Sequence, residues 1–150
     1  MKVDYAVRAL LELADGRSST KQSAEIAERW NIPAPYLDQL LTSLRKAGLV
    51  TSVRGPQGGH MLARAPEAMT VLDVFEALEG PLATIDCLED NPRCAFSRAC
   101  AIQDVWGQVQ TSVAGLLGSV TIGDLAAKQA ALSRPAVSYT HLRAHETGRN

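Results

Sequence analysis

Between residues 34 and 63 the apolar spacing of the chain switches once, from a helical period to a short β-rich run, and that switch constrains the fold more than any other feature. Leu37, Leu40, Leu41, Leu44 and Ala47 recur on one face and predict a helix opened by Pro35. Its other face carries Asp38, Gln39, Thr42, Ser43, Arg45 and Lys46. Gly48 stops the helix as a residue able to take positive φ. Leu49–Val53 then predicts a strand, Gly55-Pro-Gln-Gly-Gly59 a turn, and His60–Ala63 a returning strand.

Two helices precede this unit. Val3, Ala6, Val7, Leu10, Leu11 and Ala14 give an amphipathic first helix ending before Gly16. Residues 15–22 are polar and turn-like, and Ser23 is the expected N-cap of a short helix reaching Arg29 or Trp30, with Ile26 and Ala27 facing inward. Helix, short helix, turn, helix and hairpin is the order of a winged helix-turn-helix. The expected fold is therefore mainly α, a winged helix-turn-helix with a small β-hairpin wing. Downstream, Thr70 with Asp73 predicts a capped helix over Val71–Glu79, stopped by Gly80-Pro81. Residues 82–99 lack periodicity and read as a loop. Ile102, Val105, Trp106, Val109, Val113, Leu116 and Leu117 form the stripe of one long C-terminal helix, and Thr121 with Asp124 opens a last helix to about Ala131.

Composition excludes several classes. The 150 residues are 46% hydrophobic and 21% charged, ordinary values for a globular chain rather than a disordered one. The longest apolar run, around Val3–Ala14, is interrupted by Arg8 and Glu12, short of the roughly 20 residues needed to span a bilayer. The N-terminus has no secretory h-region, and the expected compartment is the cytoplasm. Charge is uneven. Residues 1–65 hold nine Lys/Arg against six Asp/Glu, and residues 66–132 hold three against nine. A basic first half on an acidic remainder suits a nucleic-acid-binding module joined to something else. Nothing suggests an enzyme: no nucleophile–base pair is visible, and no substrate-binding loop.

Several stretches together resemble the IscR/NsrR (Rrf-two) family of bacterial winged-helix transcription regulators. They are Asp4-Tyr-Ala-Val-Arg-Ala-Leu10, Ile26-Ala-Glu28, Ile32-Pro-Ala-Pro-Tyr-Leu-Asp-Gln-Leu-Leu41, Leu44-Arg-Lys-Ala-Gly-Leu-Val50 and, most specific, Ser52-Val-Arg-Gly-Pro-Gln-Gly-Gly59. Glu76-Ala-Leu-Glu-Gly80 and the later cysteines also fit, so the resemblance spans nearly all of residues 2–132. It implies a homodimeric repressor that binds an imperfect palindrome in double-stranded DNA, with the long helix at 101–117 as the dimer interface. The implied division is a DNA-binding domain over 1–80, a cysteine loop over 81–100, and a dimerisation helix with a terminal helix over 101–132.

Residues near the start of a recognition helix reach base edges in the major groove. Here these are Tyr36, Asp38 and Gln39. Asp38 can accept from a cytosine amino group, and Gln39 can bond adenine in two places. Thr42, Ser43, Arg45 and Lys46 suit phosphates or solvent. In the wing, Arg54 stands before Gly55-Pro56-Gln57-Gly58-Gly59, where glycines allow close approach to a duplex and an arginine suits a narrow minor groove. His60 reads as a surface residue of the wing, and Trp30 and Trp106 as core or interface.

The three cysteines, Cys87, Cys94 and Cys100, fall in one 14-residue window. An odd number argues against a disulfide framework, and the spacing is not that of a zinc ribbon. Thiolates are soft ligands suited to iron–sulfur clusters. Three is one short of the usual four. The resemblance implies a 2Fe–2S or 4Fe–4S cluster held by these cysteines and a fourth, non-cysteine ligand. Some members use a histidine three residues after the last cysteine, where this chain has Gln103; others use an acidic residue of the partner subunit's first helix, which Asp4 matches. The implied signal is nitric oxide, redox stress or cluster status. The alternative is a cluster-free regulator of the same family, controlled by thiol oxidation or by a metabolite or partner protein.

The stretch Val137-Ser-Tyr-Thr-His-Leu-Arg-Ala-His-Glu-Thr147 matches one reading frame of a transposon sequencing adapter. Residues 133–150 are therefore read as a non-native tail, with 137–147 the clear match, which removes His141 and His145 as candidate ligands.

Overall fold

The computed structural model describes residues 2–15, 19–82, 86–88, 94–96 and 99–133. The tail read as adapter-derived lies outside them, apart from Ser133. Among the described residues six helices and one hairpin follow in order: α1 (Lys2–Asp15), α2 (Ser23–Trp30), α3 (Ala34–Lys46), β1 (Val50–Val53), β2 (Gly59–Leu62), α4 (Val71–Glu79), α5 (Gln103–Ser119) and α6 (Ile122–Ser133). Single 3-10 turns occupy Pro66–Ala68 and Asp86–Leu88. This is the expected mainly helical, winged helix-turn-helix arrangement.

α1 is the central post. It packs against α2, α3, α4, α6 and β2. Its buried residues are Ala6, Ala9, Leu10, Leu13 and Ala14, while Val3, Val7 and Leu11 are only partly covered. The buried face is thus turned by about one residue from the expected stripe, because neighbours enclose the helix on more than one side. Ile26, Ile32, Leu37, Leu41, Leu44, Leu49, Val50, Met69, Val74 and Ile122 complete the core. Truncating one fully buried member such as Leu37 to alanine costs about 2–5 kcal/mol.

The turn between α2 and α3 is Asn31–Pro33. Asn31 adopts φ 51°, a left-handed conformation that asparagine tolerates better than most residues, and the Ile32 amide closes back on the Ala27 carbonyl at 2.9 Å. The cap of α2 is one residue earlier than expected. Gln22, not Ser23, is the N-cap, and its backbone N–H donates to Glu25 Oε2 at 2.7 Å. α3 ends through Gly48, at φ 74°, whose amide donates to the Arg45 carbonyl. β1 and β2 pair antiparallel, with Val50 opposite Leu62 and Ser52 opposite His60.

α4 begins with the expected reciprocal cap: Thr70 Oγ1 accepts from the Asp73 amide at 3.1 Å, and Asp73 accepts from the Thr70 amide at 2.9 Å. The same device opens α6 through Thr121 and Asp124. The two starts are stapled together, since the Val71 amide donates to the Val120 carbonyl and the Ile122 amide to the Met69 carbonyl. α6 thereby lies along α1. α5 differs from every other helix: none of its residues is buried, and Ile102, Val105, Val109 and Leu116 leave an exposed apolar stripe, Leu116 at 66%.

Candidate nucleic-acid interface and cysteine segment

α3 turns Asp38, Gln39, Arg45 and Lys46 outward, and all four are exposed. Thr42 and Ser43 are half-buried, and their hydroxyls donate back to the carbonyls of Asp38 and Gln39 at 2.8 and 3.2 Å. Either must rotate before donating to a phosphate. Tyr36 is half-buried. Its ring meets Tyr5 edge-on at 5.7 Å, so much of the side chain serves packing between α1 and α3.

The wing tip carries Arg54 and Gln57, both exposed. Gly55–Gly58 forms a tight turn closed by a 2.9 Å bond from the Gly58 amide to the Gly55 carbonyl. At Gly58 a Cβ would lie 2.2 Å from the Val53 carbonyl oxygen, so only glycine fits.

The segment before α2 braces this wing, which the sequence did not reveal. Lys21 and His60 exchange both backbone bonds, at 2.9 and 2.8 Å. Thr20 Oγ1 donates to the Gln57 carbonyl at 2.7 Å, and the Gln22 side-chain amide donates to the Gly58 carbonyl. Gly59 lets the two backbones meet: at φ 153°, a Cβ there would stand 2.7 Å from the Lys21 carbonyl oxygen. Residues 20–22, at the end of the polar stretch read as a plain turn, are thus a short third partner of the hairpin.

Lys21 also reaches the other way. Its ammonium meets Glu12 Oε1 at 2.5 Å, while Trp30 Nε1 donates to Glu12 Oε2 at 3.0 Å and Arg29 Nε lies 3.4 Å from the same oxygen. The Glu12 side chain is 11% exposed and that of Lys21 20%. Burial alone would raise the Glu12 carboxyl. The hydrogen bonds from Lys21 and Trp30, with the charges of Lys21 and Arg29, outweigh burial and hold it below the usual carboxylate range.

Between helix and wing, Arg45 Nη1 donates to Ser52 Oγ at 3.2 Å, and the same oxygen lies 3.1 Å from His60 Nδ1. His60 is half-buried. Burial and the Arg45 charge push its imidazole below the ordinary value, and Asp38 opposes them weakly.

Cys87, Cys94 and Cys100 are all free thiols, Cys94 exposed and the others half-buried. Among the described residues no three of His, Cys, Asp and Glu stand together as a metal-holding set. Asp4 pairs with Arg8 at 2.9 Å on the exposed side of α1. As donors the three thiols suit a cluster; as arranged in one protomer they do not converge on one. Gln103, at the position where some family members carry a histidine, donates its side-chain amide to the Cys87 carbonyl at 3.1 Å and ties the segment to the first turn of α5.

A three-helix core with an exposed polar α3 and a braced hairpin beside it defines a winged helix-turn-helix protein. Comparison with known proteins narrows the class. The Rrf2 family, described as "Iron-dependent Transcriptional regulator", matches residues 1–128. Protein rrf2 of Nitratidesulfovibrio vulgaris is 37% identical over 122 residues, covering 81% of this chain and 81% of its own. The solved structure of CymR, the global cysteine regulator of B. subtilis, superposes with TM-score 0.72 at 34% identity, covering 85% of this chain and 95% of that one. That of T. potens IscR gives 0.73 at 36% identity, covering 93% and 92%. The chain belongs to the Rrf2 family and is a DNA-binding transcriptional regulator. Among the described residues no helix is long and apolar enough to cross a membrane.

Proposed function

We propose that this regulator binds a palindromic operator as a homodimer and that the state of Cys87, Cys94 and Cys100 sets its affinity for that operator. The observation that carries the reading is the position of the cysteines. They lie between the DNA-binding unit of residues 1–80 and α5, and Gln103 fastens their segment to α5. α5 has an apolar stripe that its own protomer leaves uncovered, which suits a second copy. Asp38 and Gln39 are assigned to base edges. Tyr36 borders them. Thr42, Ser43, Arg45 and Lys46 are assigned to the backbone, with Arg54 and Gln57 at the wing.

In the leading form of this reading the three cysteines would hold an iron–sulfur cluster, with Asp4 of the partner subunit as fourth ligand. Such a cluster supplies sensitivity to redox stress, nitric oxide and cluster supply. The residues' part is to gather the thiols and to give up the Asp4–Arg8 pair. The second reading, thiol oxidation or a metabolite-bound partner, is favoured by the unconverged thiols and the exposure of Cys94.

Anaerobic purification with visible absorption, iron and sulfide assays separates the two. Absorbance lost in Cys94→Ala and altered in Asp4→Ala supports the cluster. A colourless protein after anaerobic reconstitution overturns it in favour of thiol or metabolite sensing.

A further inference from the structure

Arg45, Ser52 and His60 meet at the seam between α3 and the wing, and sequence reading gave only the first of them a part in DNA contact. Ser52 and His60 face each other across the hairpin, and Ser52 Oγ links the guanidinium to the imidazole. We propose that these three side chains form a seat for one DNA backbone phosphate and that His60 binds it as imidazolium, so that operator affinity rises as pH falls. The proposal rests on the DNA-binding reading and adds to it a site and a proton.

The chemistry follows from the donor inventory. In the neutral ring with Nδ1 unprotonated, the Ser52 hydroxyl spends its hydrogen on Nδ1. When Nδ1 takes a proton from solvent it becomes the donor. Ser52 Oγ then accepts from both Arg45 and His60, and its own hydrogen is released toward the phosphate. One proton is taken up per seat, and nothing else is consumed. The guanidinium fork of Arg45 suits a phosphate's paired oxygens.

The charges that face His60 are those of Arg45 and Asp38 on α3. Lys21, in the segment packed against β2, meets His60 through its backbone and turns its ammonium to Glu12. In the free protein the Arg45 charge helps keep the ring neutral. A backbone phosphodiester carries one negative charge, and seated beside the ring it opposes the Arg45 charge and favours the imidazolium. The folded ring's pKa is then higher bound than free, and binding strengthens as pH drops through the interval between the two values.

The test uses the full chain and a duplex it selects from a random pool, titrated by fluorescence anisotropy at pH 8 and pH 6 at fixed ionic strength. The wild type should bind tighter at pH 6, with a ceiling of about tenfold per seat for each unit by which the phosphate raises the ring's pKa, reached in full only below the free ring's pKa. The salt slope should also steepen by about 0.9 per phosphate engaged. His60→Gln should lose the pH response, binding no tighter at pH 6 than at its own pH 8 value. Ser52→Ala should reduce that response. NMR titration of the His60 ring, assigned by its absence in His60→Gln, gives a reading free of any folding defect: the pKa should rise on saturation with the duplex. An unchanged ring pKa, or the same pH response in His60→Gln, overturns the proposal and leaves DNA binding intact. Failure of the wild type to select any duplex overturns both.

Discussion

Glu12→Gln removes one charge from a site where three elements meet, and its consequence can be worked through. The carboxylate accepts from Lys21 at 2.5 Å and Trp30 at 3.0 Å, and the side chains of Glu12 and Lys21 are 11% and 20% exposed. Hydrogen bonds to charged groups contribute about 1.5–3 kcal/mol each. The Arg29 contact, at 3.4 Å with that side chain 63% exposed, adds little. The substituted amide has one acceptor oxygen for two donors, and its own N–H group then faces a donor. Lys21 is left largely buried without a counter-charge. The expected loss at pH 7 is about 3 kcal/mol, the lower end for a broken buried pair. For a chain of this size that lowers Tm by roughly 10 °C.

The loss should also depend on pH. The Glu12 carboxyl titrates lower in the folded than in the unfolded chain. Its stabilisation is therefore complete above the unfolded value and drains away as pH falls through the folded one, below about pH 5. Urea unfolding followed by far-UV circular dichroism, at one protomer concentration and at pH 7, 5 and 4, measures both effects. A gap under about 0.5 kcal/mol at pH 7, within the range of an ordinary surface change, refutes the reasoning. So does a gap that fails to narrow at pH 4.

Three further outcomes are expected. Gly59→Ala sets a Cβ against the Lys21 backbone at positive φ and should cost about 2–4 kcal/mol; hydrogen exchange should show the His60 amide losing protection, and unchanged protection would contradict the bracing described above. Val109→Glu with Leu116→Glu should turn a dimer into a folded monomer in light scattering, since both positions are exposed and apolar on α5; persistence of the dimer would remove α5 from the interface. Arg54→Ala should weaken binding to the selected duplex by about 1–3 kcal/mol at fixed salt; unchanged affinity would mean that the wing tip does not read DNA.

The elements that sequence reading located well are those written in local chemistry. The Leu37, Leu40, Leu41 and Leu44 stripe, the Gly48 stop and the Thr70–Asp73 and Thr121–Asp124 caps each need only neighbours within a turn or two. The α2 cap slipped by one residue because Gln22 carries the backbone role while its side chain is drawn to Gly58. The pairing of Lys21 with His60 left no local trace: Lys21 lies in a polar, aperiodic stretch, and what permits the pairing is a missing side chain at Gly59. Glu12 showed only as a charge interrupting an apolar helix, since its three partners come from elsewhere in the chain. The cysteines were visible as a cluster in sequence, but spacing does not specify a loop's path, and among the described residues the three thiols do not form a metal-holding set.

The brace on the wing bears on the thermodynamics of DNA recognition. Ordering a free loop costs about 1–2 kcal/mol per residue in backbone entropy, and a flexible Gly-rich tip would incur that cost at the moment of binding. Here Thr20, Lys21 and Gln22 hold Gln57, Gly58 and His60 in the isolated protein. The penalty falls on folding, and a duplex docked on the wing as proposed would meet a preorganised tip. Calorimetry of operator binding should accordingly give a heat-capacity change set by the docked surface alone, without the larger negative value that accompanies coupled folding.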